Sequence, residues 1–346
     1  MKRKLLLYGG GALVLLLLSA SISLSVGTAS VPLVQVWKIL LHQLPLADQW
    51  IQPTWTTAEE MIITQVRLSR VVLAILVGAS LALAGCGFQG VLRNPLADPY
   101  TLGVASGASV GAAFLILFGL QAILGQWTVP IAAFVTGSVT LFVVFSLASS
   151  QGKMRVETLI LSGVVLQAFL GSLVSFMVSL SNNVVNEILF WLMGSLSMRN
   201  WDFSLVLLPY LAIGAVVLAA YSRTLNLFAL GERQAAHLGV NVERSKTVVL
   251  IVSTLLTAGA VSVSGVIGFV GLVVPHLVRL MFGPDYRLLV PVSAILGGGY
   301  VLWADTLART LLSPKEIPLG VVTAMIGAPF FAYLLIKQKA RMKGGT

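Results

Sequence analysis

Gly107-Ala108-Ser109-Val110-Gly111 spells Gly-x-Ser-x-Gly, the pattern that presents a hydrolase nucleophile. That chemistry needs a strand–turn–helix elbow and a histidine partner. Here the pattern lies in an apolar run of helical character, and His42, His237 and His276 fall in no triad arrangement. Close helix packing through small residues is the reading for Ser109, and no catalytic residue is assigned. Nucleotide hydrolysis lacks its phosphate loop, because Gly152-Lys153-Met154 has neither the upstream glycine nor the hydroxyl that the loop requires. The single cysteine, Cys86, forms no internal disulfide, and no Cys/His cluster offers a metal site. No cofactor is expected.

What remains is the chemistry of passage. Gly85–Gly103, GCGFQGVLRNPLADPYTLG, breaks an apolar run with glycines, an Arg-Asn-Pro triplet and an Asp-Pro pair. A bilayer core tolerates irregular polar backbone only against protein or beside a wet path. An ion-coupled carrier buries ionisable groups in its spans. Asp305 alone qualifies, near a span end with Arg309 one turn on. No ring of charges or carbonyl filter suggests a channel.

These residues must be held by membrane helices. The 346 residues are 57% hydrophobic and 10% charged, with mean hydropathy +0.95. Soluble domains carry about 25% charged residues. The chain is therefore expected to be an all-α polytopic membrane protein. Spans of about 17–25 residues fit ten places: 5–26, 66–86, 101–120, 127–148, 158–180, 203–222, 246–264, 266–283, 288–308 and 318–336. The apolar Leu5–Val26 exceeds a signal-peptide core, so an uncleaved first helix is expected. The net charge of +10 is topological: with a cytoplasmic N-terminus, sixteen Lys and Arg fall inside and six outside (Lys38, Arg67, Arg70, Arg199, Arg309, Lys315). This positive-inside bias places both termini in the cytoplasm and removes any need for nucleic acid as a partner.

Gly27–Gln65 reads as an outer loop with Trp37, Trp50 and Trp55, and Ser181–Asp202 as an outer segment with a short re-entrant or interfacial helix at FWLMGSL. Gly87-Phe88-Gln89-Gly90-Val91 is echoed by Gly268-Phe269-Val270-Gly271-Leu272 five spans later, as in two inverted five-helix halves, about 1–180 and 203–346, of one transmembrane domain. Small residues at Gly78/Ala82, Gly107/Gly111 and Gly259/Val263 suit close helix contacts. The longest cytoplasmic connection, 223–246, contains two Leu-Gly pairs, Leu230-Gly231 and Leu238-Gly239. The helix formers between them read either as a solvated loop helix or as a docking helix ended by Gly239.

Taken together, Arg67-Leu68-Ser69-Arg70, Gly87-Phe88-Gln89, Arg93-Asn94-Pro95-Leu96-Ala97-Asp98-Pro99, Leu102–Ala108, Leu230–Gly239, Gly268–His276 with Arg279, Ala304-Asp305 with Arg309, and Pro318–Thr323 with Gly327-Ala328-Pro329 carry a resemblance over nearly the whole chain. The sequence resembles the FecCD-type permeases, membrane subunits of ATP-driven importers for iron–siderophores, haem and vitamin B12. The resemblance implies ten helices per subunit in the cell membrane of a prokaryote, a homodimer or a pairing with a paralogue, and a path at the subunit interface. It implies two cytoplasmic ABC ATPase subunits docked on Leu230, Gly231, Glu232, Ala235, Leu238 and Gly239. An extracytoplasmic binding protein would meet Arg67, Arg70 and Arg309, and Asn94 and Leu96 would form a cytoplasmic gate. Where the family has small hydroxylated residues at a second constriction, this chain has Arg155-Val156-Glu157-Thr158. The expected cargo is an iron–siderophore or related iron chelate, with vitamin B12 or haem as alternatives. An ion-coupled secondary transporter stands as the reading from another class. A ligand role for His276 stays open.

Overall fold

The computed structural model describes residues 2–27, 30–44, 51–150, 153–181 and 183–343. Met1, Trp50 and Gly152 lie outside the described residues. In the first half, α1 (Lys2–Ser25) is followed by α2 (Leu33–His42), α3 (Thr57–Met61), α4 (Leu68–Leu92), α5 (Val104–Leu117), α6 (Leu120–Leu124), α7 (Thr128–Ala148) and α8 (Val156–Leu180). After it come α9 (Val185–Leu192), α10 (Trp201–Ala220), α11 (Ser222–Phe228), α12 (Glu232–His237), α13 (Val242–Ser264), α14 (Val270–Phe282), α15 (Tyr286–Thr310) and α16 (Leu319–Lys343). A two-residue β-ladder between α7 and α8 pairs Ser149 with Met154.

Every expected span is occupied by a helix. Seven of these helices are long and apolar enough to cross a bilayer, and α5, α14 and the apolar part of α16 are shorter. Ten crossings return the chain to the face it left, so both termini share the cytoplasmic side that the charge bias selects. Helix α4 is the centre of the molecule: 89% of its apolar window is buried, against 11% for α8 and 22% for α1. It packs on α13, α14 and α15, while α8 keeps a broad apolar face free for lipid or another chain.

The sequence reading of Gly27–Gln65 as a plain loop is corrected. The segment forms α2, and Thr56 starts a helix that runs through a π-helical stretch, Ile62–Arg67, directly into α4. The start is a capping box: the Thr56 hydroxyl accepts from Glu59 N, and the Glu59 carboxylate accepts from Thr56 N. The second span thus projects outward by three extra turns.

Two of the three small-residue pairs make close contacts. A methyl on Gly78 would overlap the Gly297 carbonyl, and one on Gly297 would meet Ala82 Cβ at 2.5 Å. Gly107 and Gly111 face Thr140 and Thr136 of α7 in the same way, while Gly259 meets nothing nearer than Leu207 at 3.4 Å. Replacing Gly297 with leucine is therefore expected to push α15 off α4 and to cost about 3 kcal/mol, the upper end for overpacking. An unchanged melting temperature in detergent would contradict the contact.

Helices α5 and α14, with 14 and 13 residues, reach only about 20 Å at 1.5 Å per residue, short of the roughly 30 Å hydrocarbon core. Irregular chain covers the difference: Arg93–Gly103 before α5 and Gly265–Phe269 before α14. Arg93 ends α4 in the left-handed region (φ 49°), and Phe269 opens α14 there too (φ 68°). The sequence echo falls on unlike elements, since its first copy lies inside α4 and its second opens α14. The two copies instead meet in space. Gln89 Nε2 donates to Gly271 O at 3.1 Å and to Leu272 O at 3.3 Å, and a methyl on Gly85 would overlap the Gly271 carbonyl. Gly271 O has no helical donor because the residue four on is Pro275, and a side chain of α4 serves it instead, as polar backbone at membrane depth requires.

Candidate functional site

At the outer end, three arginines surround a recess of about 210 Å³ lined by Gly27, Ile62, Val66, Arg67, Arg70, Arg309, Pro314 and Glu316. Arg67 stands at the last position of the π-helical stretch, and its Nη1 donates to Leu24 O at 2.8 Å. Arg309 donates through Nη2 to Ser23 O and, at 2.9 Å, to Ser23 Oγ. Both guanidinium groups therefore serve the last carbonyls of α1, where a helix has no acceptor partners of its own and favours positive charge. Arg70 does something different. It chelates Asp305 through Nε and Nη2 at 2.9–3.0 Å, and holds Glu316 through Nη1 and Nη2 at 2.9 and 3.0 Å. Asp305 is 1% exposed, and Arg309 Nε lies 3.8 Å from it.

The sequence reading gave Asp305 only Arg309 as a neighbour; its nearer partner is Arg70, 235 residues away. Among the described residues, the guanidinium groups of Arg67, Arg70 and Arg309 gather around this basin with the carboxylates of Asp305 and Glu316. Burial would raise the Glu316 carboxyl, but hydrogen bonding and charge from Arg70 outweigh it and hold the group below the ordinary glutamate value. The Arg70–Glu316 link is complete above the unfolded glutamate value and weakens only as pH falls through the lower folded one.

Beside this basin lies a second recess of about 710 Å³, bordered by Glu187, Trp191, Ser195, Ser197, Arg199, Ser264, Lys315 and Glu316 among others. Arg199 stacks over Phe203 at 4.6 Å and has no acid partner among the described residues. The sequence placed Arg199 among the outer cations without singling it out, and only the fold brings it to this recess. The expected short outer helix is α9, and Met193 and Gly194 after it accept from Gly320 N and Leu319 N, both at 2.9 Å.

At the cytoplasmic end, Asn94 and Leu96 are exposed in the turn after α4, where Asn94 Oδ1 accepts from Leu96 N at 2.9 Å. The docking segment folds as α12, closed by a Schellman-type turn: Val240 N bonds Ala235 O at 3.1 Å, Gly239 N bonds Ala236 O at 2.9 Å, and Gly239 has φ +85°. Ala235 is fully buried and anchors the helix, whereas Leu230 and Leu238 are each 61% exposed. Glu232, at the helix start, pairs with Lys246 Nζ of α13 at 2.6 Å and lies 3.6 Å from Arg93 Nη2. One carboxylate thus joins α12 to the residue that opens the Asn94–Leu96 turn. Gly231, with φ +110°, stands at the N-cap of α12.

Ser109 Oγ donates to Ala105 O one turn back within α5, as a packed helical serine does. His276 makes a ring contact with Phe331, and among the described residues its Nδ1 has no hydrogen-bond partner. Among the described residues no group of His, Cys, Asp or Glu could hold a metal ion.

Known proteins are similar to this chain in sequence and in fold. The model of the FecCD transport family matches residues 15–337. The chain is 45% identical over 282 residues to the cobalamin import system permease protein BtuC of Halobacterium salinarum, covering 82% of this chain and 75% of that one. It is 39% identical to the hemin transport system permease protein HmuU of Yersinia pestis, covering 81% and 84%. A solved structure described as an inward-facing ABC transporter of metal-chelate type superposes with a TM-score of 0.81 at 35% identity, over 95% of this chain and 98% of that one. A buried α4, two half-length helices with irregular approaches, and a family match across nearly all of the chain lead to one conclusion: the chain belongs to the FecCD transport family, as a multi-pass permease of an ATP-binding-cassette importer in the cell membrane.

Proposed function

We propose that this permease moves an iron–siderophore or related iron chelate into the cytoplasm by alternating access, powered by two partner ATPases rather than by a nucleotide site of its own. The observation that carries the reading is α12: a short cytoplasmic helix with two bare leucines outward, Ala235 buried inward, and Glu232 tied toward the Asn94–Leu96 turn. Leu230, Gly231, Glu232, Ala235, Leu238 and Gly239 receive the ATPase, and movement of α12 reaches the Asn94/Leu96 gate through Arg93. The halves 1–180 and 203–346 form one membrane domain, and a second copy or a paralogue completes the path against the exposed face of α8. The likeness to a hemin permease supports a metal chelate as cargo. Vitamin B12 is the second reading, favoured by the likeness to a cobalamin permease. Ion coupling finds no support, because Asp305 is already neutralised by Arg70.

Outside, an acidic side chain of the binding protein enters the basin of Arg67, Arg70 and Arg309 and takes the place of Glu316 on Arg70. Arg67 is the informative position, since it donates to the backbone carbonyls of Leu24 and Ser25 and can be changed while Arg70 still holds Asp305. Arg67→Glu is expected to weaken binding-protein docking at least about tenfold and to flatten its salt dependence. Unchanged affinity across salt concentrations would refute this docking site. The chelate that the cognate binding protein retains on purification decides the cargo.

A further inference from the structure

One side chain joins the cytoplasmic loop to the outer mouth. Tyr100 stands in the 3-10 turn Pro99–Leu102, within the Arg93–Gly103 segment that carries Asn94 and Leu96. Its hydroxyl donates to Ile267 O at 2.9 Å and accepts from Ile267 N at 3.2 Å. Ile267 belongs to Gly265–Phe269, the irregular approach to α14 from the opposite side of the membrane. The backbone that carries this side chain is itself held: Asp98 Oδ1 accepts from Tyr100 N at 2.8 Å, and a methyl on Gly271 would meet Pro99 at 2.8 Å.

Gly265–Phe269 is in turn fastened to the outer face. Ser264 O accepts from Ser195 N at 2.8 Å, a Cβ on Gly265 would meet Gly194 Cα at 2.9 Å, and Gly194 O accepts from Leu319 N at 2.9 Å. The turn after α9, the end of α13 and the start of α16 therefore form one hydrogen-bonded unit, and Tyr100 ties that unit to the cytoplasmic loop.

We propose that Tyr100 is the positioning residue that couples the outer mouth to the cytoplasmic gate. Two loops reaching in from opposite faces share a single hydroxyl, so rearranging the outer unit either carries the gate loop with it or breaks both hydrogen bonds together. Ile267 is 1% exposed, so breaking the bonds leaves a buried amide N–H and carbonyl without their shared partner, a cost that favours keeping or losing the two together. Coupling of this kind requires that the contact differ between the two states, and the bidentate hydroxyl supplies that difference. The inference rests on the importer reading and on the Asn94–Leu96 gate.

The test uses the complete importer in nanodiscs, with Cys86→Ser and the thiol introduced by Leu96→Cys as reporter. Its labelling rate by a hydrophilic maleimide is measured with and without the binding protein. With Tyr100 present, docking outside is expected to change the rate about tenfold, a typical coupling magnitude. In Tyr100→Phe the response is expected to vanish while binding-protein affinity and ATPase assembly are retained. Asp98→Asn, which keeps the acceptor for Tyr100 N, preserves the response, and Asp98→Ala diminishes it. A full response in Tyr100→Phe overturns the proposal. If Tyr100→Phe fails to assemble, the Asp98 pair decides it, equal responses in the two variants being the overturning result. No response with Tyr100 intact withdraws the gate reading and the link together.

Discussion

Replacing Arg70 with alanine is expected to cost about 3–5 kcal/mol of stability, the range for removing one partner of a buried ion pair. Asp305 is 1% exposed, and three of its four short contacts to cationic nitrogen come from Arg70; the fourth, from Arg309, spans 3.8 Å. Without Arg70 a carboxylate is left in a nearly water-free position with one distant cation. The loss arises from the stranded charge and not from the pair's own attraction, so Arg70→Ala with Asp305→Ala should cost clearly less than the sum of the two single changes. Thermal unfolding of the purified permease measures this. A loss under about 1 kcal/mol, the level of an exposed pair, would show that Asp305 has another partner. The same geometry separates Arg70 from Arg67 in any docking experiment: removing Arg70 weakens the fold and the outer face together, whereas Arg67 can be changed without stranding Asp305.

The second large effect is expected on the cytoplasmic side. Changing Leu230 and Leu238 together to aspartate should reduce ATPase binding by a factor of about a thousand, since buried apolar anchors at interfaces are each worth about 2 kcal/mol or more. Both leucines are 61% exposed in the isolated chain and neither supports the fold, because Ala235 and the Glu232–Lys246 pair fix the helix from its other side. The permease should therefore keep its elution profile and melting temperature while losing the ATPase on co-purification. Retention of the ATPase within about threefold of the original affinity would place the docking surface elsewhere.

The bilayer made most of the fold legible. Its thickness imposes a run length, and the runs at 5–26, 127–148, 158–180 and 203–222 match α1, α7, α8 and α10 to within three residues at each end. The runs at 101–120 and 266–283 come out longer than α5 and α14, because hydropathy cannot register the glycine at φ +79° before α5 or the left-handed Phe269 before α14. The outward extension of α4 was written in the sequence as the capping box Thr56–Glu59, a signal that apolar run length does not contain. The partners of the site residues were not legible. Arg70 with Asp305, Arg93 with Glu232 and Tyr100 with Ile267 are each separated by more than a hundred residues, and one sequence carries no record of which distant side chains meet. The charge count had left Arg67, Arg70 and Arg309 among six cations on the outer face, and the family resemblance singled them out. Neither could show that two of them cap α1 while the third neutralises an aspartate.

The most direct test of the central claim is uptake by proteoliposomes containing the permease, its ATPase and the binding protein loaded with its retained chelate. The account predicts uptake that tracks ATP hydrolysis, stops with a hydrolysis-dead ATPase and survives collapse of proton and sodium gradients. Uptake by the permease alone, driven by an ion gradient and indifferent to ATP, would contradict it.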